Sequence, residues 1–208
     1  MSDYLTDEEQ LDKLKKWWEE NGLILAGAVV LSVAGVIGWN WYGERQAATV
    51  AGSSDLYADY LRAEGTERET IEATLASEYP DSVYRAFILL RSAQSESEDE
   101  NPEGALAALT DALSLVDDDK LADVIRIRIA RVEQELDRSD AALSTLGQVR
   151  SLGLRSHVQE LKGDIHMARG ERALAHEAYG AALEEAGQDA QRPLLQLKVA
   201  DTADANEA

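Results

Sequence analysis

The chain has 208 residues, of which 40 are acidic and 20 are basic. Its net charge of −20 argues against nucleic-acid binding, which requires a basic face, and the lack of cysteine excludes disulfides and thiolate metal sites. A composition rich in Ala, Leu and Glu, with three prolines and one phenylalanine, predicts an all-α fold.

The uncharged stretch LILAGAVVLSVAGVIGWNWY occupies residues 23–42. A helix of that length spans roughly 30 Å, the thickness of the hydrocarbon core of a bilayer. Aromatic side chains that suit the two headgroup layers lie at or near its ends: Trp17, Trp18, Trp39, Trp41 and Tyr42. A buried helix of a soluble domain is the alternative, and a cleaved signal peptide would be shorter and end in small residues. The stretch therefore predicts a retained transmembrane helix.

Basic residues near the two ends of the span predict its orientation. Lys13, Lys15 and Lys16 precede the span, whereas Arg45 is the one basic residue that closely follows it. Because Lys and Arg are retained on the cytoplasmic side, the N-terminus is expected in the cytoplasm and the C-terminal domain in the bacterial periplasm.

Residues 1–22 are expected to form a short cytoplasmic segment. It ends in Asn21-Gly22, a pair that predicts the end of a helix or a kink before the span.

After the span, one spacing of small and large residues recurs three times. A small residue is followed by an alanine after twelve positions, by a large residue after four more, and by a small or branched residue after three more. The three copies are Ala93-Ala105-Leu109-Ala112, Ala130-Ala142-Leu146-Val149 and Gly163-Ala175-Tyr179-Ala182. Their offsets of 37 and 33 residues bracket the tetratricopeptide period of about 34. The spacing predicts antiparallel helix pairs that cross at small residues; a generic helix bundle is the alternative.

The regions beside the three copies are also predicted to be helical. A degenerate fourth unit is expected to use the same intervals at Ala58, Thr70, Thr74 and Ser77. A capping helix is expected at 192–200, which closes a repeat domain at 43–200. Residues 201–208, DTADANEA, have nothing to bury and are expected to be disordered.

Several of these stretches resemble one known family. The motif KKWWEENG, followed by an apolar run that ends in GVIGWNWY, resembles the start of the YfgM family, the ancillary subunits of the bacterial Sec translocon. The stretches IRIARVEQELDRSDAALSTL at 127–146 and LKGDIHMARGERALAHEAYGAAL at 161–183 are similar to helices of the same family. The resemblance covers nearly the full length, in the order of short head, single span and tetratricopeptide-like repeats.

No pattern in the sequence predicts catalysis. His157, His166 and His176 lack the spacing of metal ligands, and neither a P-loop nor a G-x-S-x-G motif occurs. A calcium-like loop that begins at Asp99 is interrupted by Pro102 and lacks the final bidentate glutamate. The expectation is a protein that is not an enzyme and uses no cofactor or metal.

A binding groove is predicted instead. In a tetratricopeptide stack the first helix of each pair lines a concave surface, at fixed offsets from its small residue. Those offsets select Phe87, Leu90 and Gln94 in the first unit, Val124, Ile127, Arg131 and Gln134 in the second, and His157, Glu160, Asp164 and Met167 in the third. A partly apolar groove of this kind suits extended, unfolded polypeptide. The alternative is that Phe87, Leu90 and Ile127 belong to the core.

The span also has a candidate contact face. Ala28, Ser32 and Gly35 place small residues on one side of the helix, where a membrane partner could approach closely. The alternative is that small residues are simply common in membrane helices.

The family resemblance implies a function and partners. It implies an inner-membrane protein that associates with the SecYEG translocon, acts with a membrane-anchored peptidyl-prolyl isomerase of the PpiD type, and receives unfolded secretory proteins as an ATP-independent chaperone or adaptor. Membrane lipid would surround the span. Two alternatives are a scaffold subunit of an envelope complex, in cell division or outer-membrane assembly, and a cytoplasmic adaptor of reversed topology.

Overall fold

A computed structural model describes residues 7–187 and 192–203 of the chain. Every regular element in these ranges is a helix, as the composition predicts. The chain divides into two compact units, Met1–Gly52 and Ser53–Ala208. The boundary falls inside the first helix, α1 (Asp7–Arg62), so the two units are described separately.

The first unit contains the part of α1 that precedes the boundary. Helix α1 continues through Asn21-Gly22, so a helix end does not occur there, and the Asn21 side-chain amide donates to the carbonyl of Trp17 at 2.9 Å. The apolar side chains that follow are exposed, with Leu23 at 90% and Trp39 at 78%. Among the described residues, α1 is the one helix that is long and apolar enough to cross a membrane.

The second unit contains the remaining helices. They are α2 (Gly65–Glu78), α3 (Val83–Glu98), α4 (Pro102–Ser114), α5 (Asp119–Glu135), α6 (Ser139–Leu146), α7 (Arg155–Ala168), α8 (Arg172–Ala186) and α9 (Pro193–Ala203), with a 3₁₀ turn at Leu152–Leu154 before α7. The predicted copies correspond to the pairs α3/α4, α5/α6 and α7/α8. Side-chain caps fix the starts of α4 and α5: the Asn101 side-chain oxygen accepts from the N–H of Gly104, and Asp118 accepts from the N–H of Leu121.

Small residues lie where the helices of each pair cross. Ala105, Ala142 and Ala175 are fully buried. Gly163 of α7 lies against the ring of Tyr179 of α8, so closely that a Cβ on Gly163 would collide with the ring. This contact joins the small residue and the large residue of one copy, and it confirms the register of the repeat.

The degenerate fourth unit is not built as predicted. Thr70 and Ser77 are exposed, and the hydroxyl of Thr70 donates to the carbonyl of Thr66 in its own helix. The buried residue of α2 is Leu75, which packs with Tyr60 and Ile88. The intervals that mark a helix crossing in the other three copies therefore do not mark one here.

Helix α9 covers the last pair, as the capping prediction requires. Leu195 is 1% exposed and packs with Ala175, Tyr179 and Ala182. The helix continues to Ala203, with Thr202 buried, so 201–203 belong to α9 and not to a disordered tail. The rest of the predicted tail, 204–208, lies outside the described residues.

Candidate peptide-binding groove

The first helices of the repeats, α3, α5 and α7, border two neighbouring cavities. The larger, of about 390 Å³, lies between α3, α4 and α5 and is called the α3–α5 pocket. Its apolar walls are Leu90, Ala93, Leu109 and Val132, and its polar groups are Gln94, Ser97, Arg128, Arg131 and Glu135. Three residues of the predicted groove are thus brought together here: Leu90, Gln94 and Arg131.

The smaller cavity, of about 220 Å³, lies between α5, α6 and α7 and is called the α5–α7 pocket. Its apolar walls are Ala130, Leu146, Leu161 and Ile165, and its polar groups are Arg131, Gln134 and Asp164. Arg131 borders both cavities. It therefore stands on the ridge between them.

Helix α5 can present this ridge because it is buried on two sides. Ile125, Ile129 and Val132 belong to the core shared with α3 and α4. Ile127 and Ala130 belong to the core shared with α6 and α7. Ile127 is 5% exposed, so it is a core residue and its assignment to the groove is wrong.

Two further predicted groove residues border neither cavity. Val124 is 37% exposed on α5. Phe87 is half-buried in an aromatic cluster, with ring centroids 5.9 Å from Tyr57 and 6.0 Å from Tyr84. Neither residue contributes to the two pockets.

Arg131 is held by a histidine of the next repeat. Its Nη2 lies 2.8 Å from Nε2 of His157, a predicted groove residue of α7. Burial, together with the charge of Arg131, lowers the pKa of His157 below its ordinary value of 6.5. Neutral His157 then accepts the hydrogen bond through Nε2, and this contact fixes the guanidinium on the ridge.

The remaining predicted residues of α7 are engaged by α9. Lys198 Nζ lies 3.1 Å from a Glu160 oxygen and 2.7 Å from an Asp164 oxygen, and Arg192 also pairs with Glu160. Met167 packs against the core that contains Leu195. The third part of the predicted groove is therefore covered from within the chain.

The charges of this covered part stabilise one another. Burial alone would lower the pKa of Lys198, but hydrogen bonds to Asp164 and Glu160 outweigh it and raise the pKa. Burial, with the hydrogen bond that its hydroxyl donates to Asp164 at 2.7 Å, raises the pKa of Tyr179. Lys198 stays charged and Tyr179 stays neutral at physiological pH.

Sequence reasoning missed a buried carboxylate, Asp123 of α5, which is 2% exposed. It accepts hydrogen bonds from the backbone N–H groups of Arg150 and Ser151 at 3.0 and 2.8 Å, from the Ser151 hydroxyl at 2.7 Å and from Arg126 at 2.8 Å. Burial alone would raise the pKa of Asp123, but these donors outweigh it and lower the pKa. Asp123 therefore fixes the turn that leads into α7, and with it one side of the α5–α7 pocket.

The two pockets combine apolar side chains with polar ones. No cluster of His, Asp or Glu suited to a metal ion occurs in the ranges 7–187 and 192–203. The two cavities offer apolar walls, amides and guanidinium donors. Such a surface can hold a chain segment by apolar contact and hydrogen bonding.

Comparison with known proteins identifies what the chain is similar to. A sequence model described as a tetratricopeptide repeat-like domain matches residues 15–204. A protein named "Ancillary SecYEG translocon subunit" in Haemophilus influenzae is 27% identical to this chain, over 94% of this chain and 97% of the relative. A protein of the same name in Escherichia coli is 29% identical, over 96% of this chain and 98% of the relative. A protein of the same name in Neisseria gonorrhoeae is 27% identical, over 96% of this chain and 98% of the relative. These relatives confirm the family resemblance expected from the sequence.

A solved structure gives a further comparison. A thermophilic tetratricopeptide protein from Thermus thermophilus aligns with 65% of this chain and 71% of its own, with a TM-score of 0.46 and 19% identity.

Proposed function

This chain belongs to the tetratricopeptide repeat-like domain family, and we propose that it associates with the Sec translocon and holds emerging secretory chains in its groove without ATP. The observation that carries the proposal is the pair of adjoining pockets along α3, α5 and α7, whose walls are apolar and whose ridge carries Arg131.

Association with the translocon is supported by the relatives. They bear the name of a translocon subunit, they match over nearly their whole length, and that name denotes a non-catalytic kind of protein. Helix α1 and these relatives fit a membrane-anchored protein. On the proposal, α1 anchors the chain in lipid and the repeats lie in the periplasm, on the side where secretory chains emerge.

The holding mechanism follows from the pockets. An unfolded segment exposes apolar side chains that would otherwise associate with other chains. Reversible docking of these side chains in the two pockets lowers the free concentration of aggregation-prone polypeptide. Release requires no energy source, because folding of the client removes the exposed segment and the equilibrium shifts.

The membrane helix is proposed to contact a partner through Ala28, Ser32 and Gly35. The Ser32 hydroxyl donates to the carbonyl of Ala28 at 2.8 Å, so its polar group is satisfied within the helix and the face is small and apolar. Such a face allows close backbone approach in lipid. The partners proposed for it are the translocon and the anchor of a PpiD-type isomerase.

In-cell crosslinking tests the proposed function. A photo-crosslinking amino acid at Gln94, which is exposed and borders the α3–α5 pocket, should capture many unrelated secretory chains. The same group at Glu177, which is exposed on α8 and borders neither pocket, is the matched control and should capture few. Capture of one folded protein at Gln94 would instead identify a scaffold of an envelope complex.

Two further measurements test the membrane arrangement. A reporter that is active only after export, fused after Ala208, should be active, whereas an inactive reporter would indicate the reversed topology. In a cysteine scan of residues 23–39, crosslinks to partner subunits should peak at residues 28, 32 and 35. Equal crosslinking from the opposite side, at Val30, Val33 and Ile37, would mean that the span is only an anchor.

A further inference from the structure

The contact between Arg131 and His157 joins two repeats and depends on the protonation state of the histidine. Arg131 lies on α5 and His157 on α7, 26 residues later, and Nη2 of Arg131 lies 2.8 Å from Nε2 of His157. A guanidinium has N–H donors and no acceptor, so the imidazole nitrogen must be the acceptor. Both nitrogens of a protonated imidazole are donors. The contact therefore exists only while His157 is neutral.

Protonation of His157 would turn this hydrogen bond into a repulsion. Nε2 would carry a proton directed at the guanidinium, and two positive charges would face each other across 2.8 Å. Histidine has an ordinary pKa of 6.5, so acidification within the range that cells meet can change its charge. Arg131 is exposed, so its guanidinium can leave the contact for solvent while the backbone of α5 stays in place.

The other charges around His157 keep the ring neutral at neutral pH. Burial and the two nearby arginines disfavour the protonated ring, and the balance lowers the pKa of His157. Two carboxylates favour the protonated ring, but each of them is already paired with a cation. The groups that act on His157, with the partners of those groups, are Arg131 on α5, Glu160 and Asp164 on α7, Tyr179 on α8, Arg192 before α9 and Lys198 on α9.

The position of Arg131 gives the contact a consequence for the groove. Arg131 borders both the α3–α5 pocket and the α5–α7 pocket. While it is held there, its side chain stands between the apolar wall at Leu90 and the apolar wall at Leu161. Once the guanidinium moves into solvent, the two cavities can join into one longer apolar channel across α5.

We propose that His157 is a pH-sensitive switch of the groove: the neutral ring holds Arg131 between the two pockets, and the protonated ring releases it, so that the pockets join on acidification. Release of Arg131 involves only groups of this chain. The inference rests on the proposed function in one respect, because the shape of the groove then regulates which unfolded segments it holds. Separate apolar side chains fit the divided groove at neutral pH, and a continuous apolar stretch fits the joined groove in acid.

The first test measures the titration of His157 in the full chain in nanodiscs of neutral lipid. Nuclear magnetic resonance of chains labelled with ¹⁵N-histidine follows each imidazole, and His157→Gln identifies the signal of His157. Its pKa should lie below 6.5. Arg131→Met should raise this pKa, because it removes the guanidinium that opposes protonation.

The second test measures whether the pockets open. Leu90 and Leu161 are half-buried, one in the wall of each pocket, and hydroxyl-radical footprinting read by mass spectrometry reports their accessibility. Oxidation of both should rise about twofold or more when the pH is lowered from neutral to below the measured pKa of His157. Circular dichroism at both pH values should show unchanged helix content.

Three variants assign this opening to the histidine. His157→Gln keeps an acceptor oxygen that does not titrate, so Leu90 and Leu161 should stay protected at both pH values. His157→Ala removes the acceptor, so oxidation at neutral pH should reach the level that the unchanged chain reaches in acid. His166→Gln is the matched control: His166 lies on the same helix and borders neither pocket, and its loss should leave the opening intact.

The outcomes separate this inference from the proposed function. Equal opening in acid of the unchanged chain and of His157→Gln would overturn the inference, because another group would then be responsible. A pKa of His157 that is the same in Arg131→Met, or a ring that stays neutral until the chain unfolds, would also overturn it. None of these results affects the holding function, which is tested by crosslinking at Gln94. Failure of that crosslinking would remove the holding function and leave the release of Arg131 standing.

Discussion

The α3–α5 region and the α7–α9 region of the groove occupy equivalent positions in the repeats, yet only the first is open. At α3–α5, Arg128 and Arg131 border a cavity of about 390 Å³ and form no ion pair among the described residues. At α7–α9, Lys198 pairs with both Glu160 and Asp164, at 3.1 and 2.7 Å, and Arg192 also pairs with Glu160.

The difference shows that the repeat geometry sets where a groove side chain lies, whereas the next helix decides whether a ligand can reach it. Lys198 of α9 and Arg192, which directly precedes α9, pair with the carboxylates of α7, and Met167 packs against the core that contains Leu195 of α9. Asp164 borders the α5–α7 pocket, but its carboxylate is already bound. On the proposed function, the part of the groove that is open to a ligand therefore extends from α3 to the near side of α7.

The largest loss of stability is expected from substitution of Asp123, which lies on α5 between the two regions and holds the turn before α7. Asp123→Asn removes the negative charge and replaces one of the two accepting oxygens by an NH2 group, so the four hydrogen bonds cannot all persist. The substitution should lower the free energy of unfolding by about 2–4 kcal/mol at neutral pH. Hydrogen exchange of the Arg150 and Ser151 amides, both donors to Asp123, should accelerate. Asp117→Asn, at an exposed position, is the control and should change neither quantity.

The same carboxylate predicts a pH dependence. The pKa of Asp123 is lowered on folding, so its stabilisation is complete above the ordinary value of 3.8 and is lost as the pH falls through the lowered folded value. Urea unfolding followed by circular dichroism should show this acid-dependent loss in the unchanged chain. Asp123→Asn should lack that part of the pH dependence; an identical profile in both chains would show that Asp123 does not titrate as described.

The next effect concerns the covered region. Gly163→Ala should destabilise the chain by about 1–3 kcal/mol, because the new Cβ would collide with the buried ring of Tyr179. Gly180→Ala is the control, and it is expected to change the free energy of unfolding in the opposite direction. Gly180 lies within α8 with open space around it, so alanine there should stabilise the helix by up to about 1 kcal/mol. Unfolding curves in urea measure the change in the free energy of unfolding for each variant. If both variants changed it in the same direction, the described packing of Gly163 against Tyr179 would be wrong.

Loss of the ion pairs between α9 and α7 should reduce the free energy of unfolding by a smaller amount. Lys198→Gln removes the ion pairs to Glu160 and Asp164 and should cost about 1–2 kcal/mol, a value already reduced for the partial exposure of these groups. Hydrogen exchange should accelerate in α9 and remain unchanged in α3–α5. The control is Lys120→Gln, at an exposed position on α5. Unchanged protection of α9 would mean that apolar packing alone holds it in place.

The smallest change in the free energy of unfolding is expected for a substitution in the α3–α5 region. Arg128→Gln should change the free energy of unfolding by no more than about 0.5 kcal/mol, because Arg128 is exposed and forms no ion pair among the described residues. Unfolding in urea, followed by circular dichroism, measures the change. A loss above about 1 kcal/mol would give Arg128 a structural role and remove the contrast between the two regions.

The repeat register could be predicted from the sequence because it depends on residue size at fixed intervals. Ala142 and Ala175 are fully buried, and Gly163 meets Tyr179 as the spacing requires. The capping helix was predictable for the same reason, since the last pair needs an apolar cover and Leu195 provides it.

The groove was only partly predictable because its residues depend on partners that are distant in the sequence. Ile127 is core because α5 is enclosed on two sides, and a single apolar stripe does not reveal the second side. The acceptor role of Asp123 depends on donors 27 and 28 residues away, and the state of Asp164 depends on Lys198. Nothing in the local sequence of any of these residues indicates its partner.

The position of α9 in the chain also sets an order in time. The residues that border the two pockets lie between Leu90 and Ile165, whereas α9 begins at Pro193. A chain that folds as it is synthesised or exported therefore completes the walls of both pockets before the cover of the third repeat arrives. During that interval Glu160 and Asp164 lack their cations, and the unfinished protein presents a longer and more acidic groove than the finished one.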